Sequence, residues 1–306
     1  MAPDVVSHTK MHADELDIDD VLVRGLVATQ FPSWAHLPLE RVASVGTDNA
    51  IFRLGDTLAV RLPRRVSATA QVDKEQRWLP ILAPHLPLAV PSVLAVGKAG
   101  AGYPWRWCIV RWLDGNNATV AAFADPHRAA RDLGAFIHAL QCIDPAKGPP
   151  PGRHNFYRGV PLAVRDRQVR RSIPHWHGLI DVRAAAAVWE SILGTPPWHR
   201  PGLWIHGDLG GGNVLVHEGR LSAVIDFGCL GVGDPACDLM AAWSLFSADA
   251  RRTFRHSLHA DEATWNRARG WALATSVGVL PYYKDTNPAI VASARRTLEA
   301  VLDDGL

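Results

Sequence analysis

From Leu39 to Pro63 the chain sets short apolar runs between polar breaks: LERVASVG, NAIFRLG and TLAVRLP. Runs of this length, rich in β-branched and aromatic residues and bounded by Gly, Pro or Asp, predict strands. Gly55-Asp56 is the predicted turn between the second and third. In that register Arg61 pairs with Ala50 and sits beneath the loop Gly46-Thr47-Asp48-Asn49. SATAQVDKEQRWLPIL predicts a helix capped by Ser67. PSVLAV and RWCIVRWL predict two further strands, after which Gly115 breaks the pattern. Three strands, a helix and two strands make a small antiparallel sheet with one helix.

Beyond Gly115 the period changes. Asp125-Pro126 joins a cap to a proline in the first turn. Leu133, Phe136, Ile137 and Leu140 follow at i, i+3, i+4 and i+7, which is one apolar helix face. DVRAAAAVWESIL predicts a second helix from Asp181, and others are expected near Ala236–Phe246, Glu262–Leu280 and Pro288–Leu302. Lys147 to Gly159 is a Pro/Gly-rich connection, long enough to serve a function. One strand pair interrupts the helices: NVLV and LSAVI flank HEGR, a hairpin with Glu218-Gly219 as its turn. There Val216 faces Leu221 and Asn213 faces Val224. Alternate residues of a strand share a face, so Asn213 and Asp226 lie diagonally on one face, roughly 7–8 Å apart at the backbone. The predicted organisation is an N-terminal unit over residues 1–114 and a larger, mainly helical one over 115–306.

The 306 residues are 48% hydrophobic, enough for a large core or two lobes. A net charge of +2 supports neither a nucleic-acid footprint nor an acidic tail, so no nucleic-acid partner is expected. The four cysteines lack CxxC spacing, which argues against zinc and against a disulfide framework. No apolar stretch reaches membrane-spanning length. The first residues lack the basic-then-apolar order of a signal peptide. The expectation is a cytoplasmic protein with no membrane partner.

The polar residues around the hairpin carry the chemistry. Two oxygen-bearing side chains at the Asn213–Asp226 separation can share one divalent ion. Mg²⁺ binds in this way, through one or two protein groups plus substrate phosphates. Asp208 stands five residues before Asn213, in the loop entering the hairpin, where a carboxylate can accept a proton from an incoming hydroxyl. The three together predict a phosphoryl-transfer site. On the nucleotide side, backbone amides of the Gly46, Thr47 and Asn49 loop can cradle phosphates above Arg61.

The same residues carry a resemblance. HGDLGGGN, His206 to Asn213, resembles the kinase signature H-R-D-L-x-x-x-N, and Asp226-Phe227-Gly228 matches D-F-G. With GDPACDL at Gly233 to Leu239, the set is similar to the aminoglycoside phosphotransferase family of small-molecule kinases. The resemblance runs from about Arg41 to the C-terminal helices. Gly207 replaces the arginine of protein kinases, and Gly210-Gly211 replace the family's usual loop residues.

The resemblance implies an α+β, protein-kinase-like two-lobe fold. The N-terminal lobe binds nucleotide; the C-terminal lobe is catalytic and binds substrate. It implies transfer of the γ-phosphoryl group of ATP or GTP to a small-molecule hydroxyl, with Asp208 as base and substrate contact and Mg²⁺ on Asn213 and Asp226. Arg61 of AVRLP takes the place of the strand-three lysine. Its implied partner is Glu75, although Asp73 and Lys74 are close enough in sequence to leave the choice open. Alignment of CIVRWLDG with the kinase hinge implies backbone contacts to the purine from Arg111 and Leu113. Asp234 and Asp238 would brace the Asp208 loop, and His206 is expected as a buried hydrogen-bonding residue. An aminoglycoside-type antibiotic is the first substrate expectation, its polycation suiting acidic groups among Asp261, Glu262, Asp285, Asp303 and Asp304. Macrolide, homoserine, choline and sugar kinases share the motifs. A catalytically weak, pseudokinase-like nucleotide-binding module is the rival reading, motivated by the glycine loop and by Arg61.

Overall fold

A computed structural model describes residues 15–42 and 48–304. Gly46 and Thr47 lie outside the described residues. The chain opens on α1 (Asp20–Gln30). The sequence reading begins its first element at Leu39 and has no counterpart of this helix. Its signal is modest: the Asp19 carboxylate caps it by accepting the Leu22 amide at 2.8 Å, and Val23, Leu26 and Val27 bury one face.

Next come β1 (Leu39–Arg41), β2 (Asn49–Leu54), β3 (Leu58–Pro63), α2 (Thr69–Leu82), β4 (Val93–Gly97) and β5 (Trp107–Arg111). The strands form one antiparallel sheet in the order β1-β2-β3-β5-β4. Alternation along the strands decides what each face meets. Val60, Leu62, Trp107 and Ile109 pack in one cluster with Val23, Leu26 and Val27 of α1. Ala59, Cys108 and Val110 pack with Val72 of α2 on the other face. Arg61 shares the parity of Ala59, so its side chain is delivered to α2.

Two expectations need correction here. Leu54 pairs with Leu58, so the connection is the three residues Gly55–Thr57 and Arg61 pairs with Ile51, not Ala50. The Gly55-Asp56 signal located the turn but not its length. Ser67 is no cap: residues 66–68 form a 3-10 turn and α2 starts without a side-chain cap. The turn's own carbonyls take up donors that a cap would have met, as at the Thr69 amide, which bonds Val66.

The remainder is mainly helical. In order it holds β6 (Asn116–Asn117), α3 (Pro126–Gln141), α4 (Asp166–Ser172), α5 (Val182–Leu193), β7 (Leu203–Ile205), β8 (Val214–His217) and β9 (Arg220–Val224). There follow β10 (Gly231–Gly233), α6 (Ala236–Leu239), α7 (Ala241–Leu245), α8 (Ala248–Ser257), α9 (Glu262–Val277), α10 (Val279–Tyr283) and α11 (Pro288–Asp303). Leu133, Phe136, Ile137 and Leu140 of α3 are fully buried in the main core with Trp176, Trp189 and Trp271. The Asp125 cap forms as expected, and Asp181, expected as the first residue of its helix, is the cap of α5. The stretch expected as one helix over Ala236–Phe246 is two short helices, α6 and α7, and α8 is additional.

The hairpin β8–β9 turns on Glu218 and Gly219, both with positive φ (49° and 74°), and pairs Val216 with Leu221 as expected. Beyond that the register slips. Ser222 is an extra residue on one strand, so Val224 faces Val214 rather than Asn213. Such a bulge is invisible to a strict two-residue period. Asn213 is still held across the base of the hairpin, its carbonyl accepting the Ile225 amide at 2.9 Å. β6 adds a third strand against β8.

Candidate active site

Asp208, Asn213 and Asp226 meet at the mouth of this hairpin. The Asn213 side-chain amide donates to the Asp208 carbonyl at 2.9 Å and to its carboxylate Oδ2 at 3.1 Å. That uses both amide protons and leaves Asn213 Oδ1 as an acceptor. Asp226 follows Ile225 with left-handed backbone (φ 62°), a conformation Asp tolerates better than most residues. Its Oδ1 accepts the Gly228 amide at 3.2 Å, and its Oδ2 bonds nothing among the described residues.

The loop that carries Asp208 is fixed from beneath. Asp238 on α6 is fully buried and accepts the His206 and Gly207 amides, both at 2.7 Å. Burial pushes its carboxyl above the ordinary value. His206 donates from Nε2 to the Ile225 carbonyl at 3.0 Å and accepts the Asp208 amide on Nδ1 at 3.2 Å. That pair of bonds selects one tautomer and ties the loop to the hairpin. Its ring packs on Phe227, centroids 4.6 Å apart. Gly207 is a glycine of necessity: φ is +84°, and a Cβ would lie 2.5 Å from the Cys229 carbonyl oxygen. The kinase arginine therefore has no counterpart at this position. Asp234 forms a buried pair with Arg267 of α9 at 2.8 Å, anchoring the segment that carries Asp238.

Arg61 and Glu75 do meet, at 2.6 Å, and Glu75 is fully buried. Burial acts to lower the Arg61 guanidinium, but the Glu75 carboxylate outweighs it and leaves the pKa above its usual value. The other Glu75 oxygen accepts the Phe227 amide at 3.1 Å. One carboxylate thus links β3, α2 and the segment after Asp226. Asp73, the alternative partner, faces away and pairs with Arg106. Asn49 is not free to meet a ligand: it is buried and donates to Gln71 at 3.1 Å. The Arg111 amide is engaged by the Ser92 carbonyl at 3.0 Å, which leaves only its carbonyl for a purine. The Leu113 amide bonds nothing among the described residues.

Two cations at the site have no such role in the sequence reading, where Lys74 stands only as a neighbour of Glu75. Arg158, from the Pro/Gly-rich connection, reaches Asp208 Oδ1 at 3.2 Å. Burial works against its charge, and Asp208 more than restores it. Lys74 donates to the Gly228 carbonyl at 2.6 Å and the His154 carbonyl at 2.8 Å, and burial pushes it down to about 8. In sequence the RHNFYRG stretch stands out only as part of a long connection. Which of its arginines turns inward depends on a chain path that no local pattern records.

The acidic candidates for a polycation are mostly committed elsewhere. Asp261 caps α9 by accepting the Thr264 amide at 2.7 Å. Glu262 pairs with Arg255 at 2.6 Å, and Asp304 accepts the Trp243 indole and pairs with Arg251. Asp285 is exposed and 3.9 Å from Lys284. Among the described residues, no group of three or more His, Cys, Asp or Glu side chains can hold a metal ion. A cation at the hairpin would rest on Asn213 Oδ1 and Asp226 Oδ2, with a ligand completing its shell. No helix among the described residues is long and apolar enough to cross a membrane.

An antiparallel sheet whose Arg61 pairs with Glu75 of α2, joined to a helical lobe presenting Asp208, Asn213 and Asp226, has a kinase-like fold. The model of the phosphotransferase enzyme family matches residues 40–271, and the chain belongs to that family. Among solved structures it is similar to wild-type aminoglycoside 2'-phosphotransferase-IIIa in complex with GDP: TM-score 0.72, 17% identity, 94% of this chain and 100% of that one. It is also similar to the macrolide 2'-phosphotransferase MphH from Brachybacterium faecium, with TM-score 0.61, 22% identity and coverage of 90% and 96%. The streptomycin–ATP complex of APH(2")-IIa aligns at TM-score 0.57 and 17% identity, over 86% and 91%. A search of curated protein sequences finds no match.

Proposed function

We propose that this protein transfers the γ-phosphoryl group of ATP or GTP to a hydroxyl of a small molecule, with aminoglycoside-type antibiotics as the first substrate class to test. The observation that carries the reading is the convergence of Asp208, Asn213 and Asp226 at one hairpin mouth. Asp208 accepts the hydroxyl proton and orients the attacking oxygen. Asn213 Oδ1 and Asp226 Oδ2 are the oxygens that would hold Mg²⁺, which, when bound, neutralises phosphate charge. Arg61, kept in place by Glu75, steadies the phosphates. Leu113 and the Arg111 carbonyl offer backbone groups to the purine. Residues 1–114 form the nucleotide-binding unit in this reading and 115–306 the catalytic and substrate unit. Positioning and charge compensation dominate catalysis, as phosphoryl transfer requires.

Macrolides form the second class. The commitment of Asp261, Glu262 and Asp304 to caps and arginines removes much of the acidic surface that a polycation would use. The deciding experiment is a panel of aminoglycosides, macrolides and metabolite alcohols incubated with ATP or GTP and Mg²⁺. The reading expects one class to be phosphorylated, and Asp208→Asn to lower turnover by about 10²–10⁴ with nucleotide binding kept. Turnover within threefold of wild type in Asp208→Asn would remove Asp208 from the mechanism. Nucleotide binding with neither transfer nor hydrolysis would favour the pseudokinase-like module.

A further inference from the structure

Away from the hairpin, α8, α9 and the end of α11 line a half-open cavity of about 370 Å³. Four arginines line it, Arg251, Arg252, Arg255 and Arg269, against two carboxylates, Glu262 and Asp304. No residue of the hairpin, the Asp208 loop or α2 contributes to its lining.

Arg255 pairs with Glu262 at 2.6 Å, and Arg252 pairs with Asp249, which lies outside the lining, but Arg251 and Arg269 are less fully met. Arg251 is only 4% exposed, yet among the described residues its one ionic contact is Asp304 at 3.3 Å. Its Nε and Nη1 are buried without a hydrogen-bond partner among the described residues. The second Asp304 oxygen is occupied by the Trp243 indole at 3.1 Å. Among the described residues Arg269 meets no carboxylate: its Nε and Nη2 both donate to the Val301 carbonyl. Burial pushes the Arg251 and Arg269 guanidinium groups below their usual value, as expected of cations short of counter-charge. Arg251 and Arg255 lie over the Trp243 and Trp265 rings, at 5.7 and 5.4 Å, which limits their freedom to turn toward solvent. Buried donors left unmet are costly, so such a cluster persists best where a ligand supplies acceptors.

We propose that this cavity binds a tetrahedral oxyanion, either inorganic phosphate or the phosphate of a small phosphate ester, at a site separate from the hairpin. Guanidinium forks match phosphate oxygens, and the lining stays net positive even with Arg252 paired to Asp249 outside it, which suits a phosphate oxyanion.

Calorimetric titration at fixed ionic strength tests this with inorganic phosphate, glycerol phosphate and acetate. Wild-type protein should bind phosphate or the ester and not acetate, and the tighter of the two identifies the source. Arg251→Gln should weaken binding by at least about tenfold. If that variant does not fold, the double variant Arg252→Gln/Arg255→Gln, on more exposed positions, should show the same loss. No phosphate binding, equal acetate binding, or wild-type affinity in the double variant overturns the proposal. So does binding that disappears in Arg61→Gln while surviving in the cavity variants, because the phosphate then sits at the nucleotide side.

Discussion

Glu75→Gln isolates the group that joins the sheet to the hairpin. In the native chain one oxygen takes Arg61 at 2.6 Å and the other takes the Phe227 amide at 3.1 Å, with Glu75 fully buried and the Arg61 side chain only 11% exposed. Glutamine preserves the shape but has one acceptor oxygen, so its amide must face either a guanidinium or a backbone N–H. Removing one partner of a buried pair costs about 3–5 kcal/mol. The retained acceptor still makes one bond, worth roughly 1 kcal/mol. The expected loss is therefore about 2–4 kcal/mol, measured as the shift in urea midpoint at unchanged slope. Replacing both partners, as Arg61→Met/Glu75→Met, should recover most of it, because well-packed apolar groups in place of a buried ion pair are often neutral. A single-variant loss below about 0.5 kcal/mol, within the range of surface substitutions, would refute the bridging role. So would a double variant as unstable as the sum of the singles.

Gly207→Ala should cost about 2–4 kcal/mol, from the left-handed backbone and the contact with the Cys229 carbonyl, whereas Gly212→Ala, with open space around it, should stay within about 0.5 kcal/mol; equal midpoints in denaturant would show that the loop relaxes freely. Lys74 is lowered to about 8 in the fold from 10.5, so between those pH values the unfolded chain holds the extra proton and stability rises with pH. Relative to Lys74→Met, wild type should gain at most about 3 kcal/mol across that window, less solvent screening of a partly buried group; a difference that is flat or falls with pH contradicts the placement of Lys74. Arg158→Gln removes the ionic partner of Asp208 and should lower the kcat of nucleotide hydrolysis by about 10–10² with little change in KM; an unchanged kcat would reduce Arg158 to packing.

Much of the site is written locally. The alternating runs around Arg61 and the i, i+3, i+4, i+7 face of α3 follow from backbone periodicity alone, which any reader of the chain can apply. The linked spacing of Asp208, Asn213 and Asp226 was legible because one loop and one hairpin carry all three, and chain connectivity keeps them close whatever the rest does. That also explains why the slipped register did little damage: Asn213 moved by one position yet stayed at the mouth. Features made by distant segments were not legible. Whether Arg61 meets Asp73 or Glu75 depends on the rotation of α2 over the sheet. Asn49, expected at the ligand, was claimed by Gln71. Arg158 reaches Asp208 across fifty residues of chain, and the arginine cavity gathers side chains from α8 and α9, bordered by the end of α11. Sequence determined the strand and helix periods and the residues clustered within one hairpin. Tertiary packing alone decided which buried charges face one another, because a period records which face a side chain occupies and says nothing of what lies opposite.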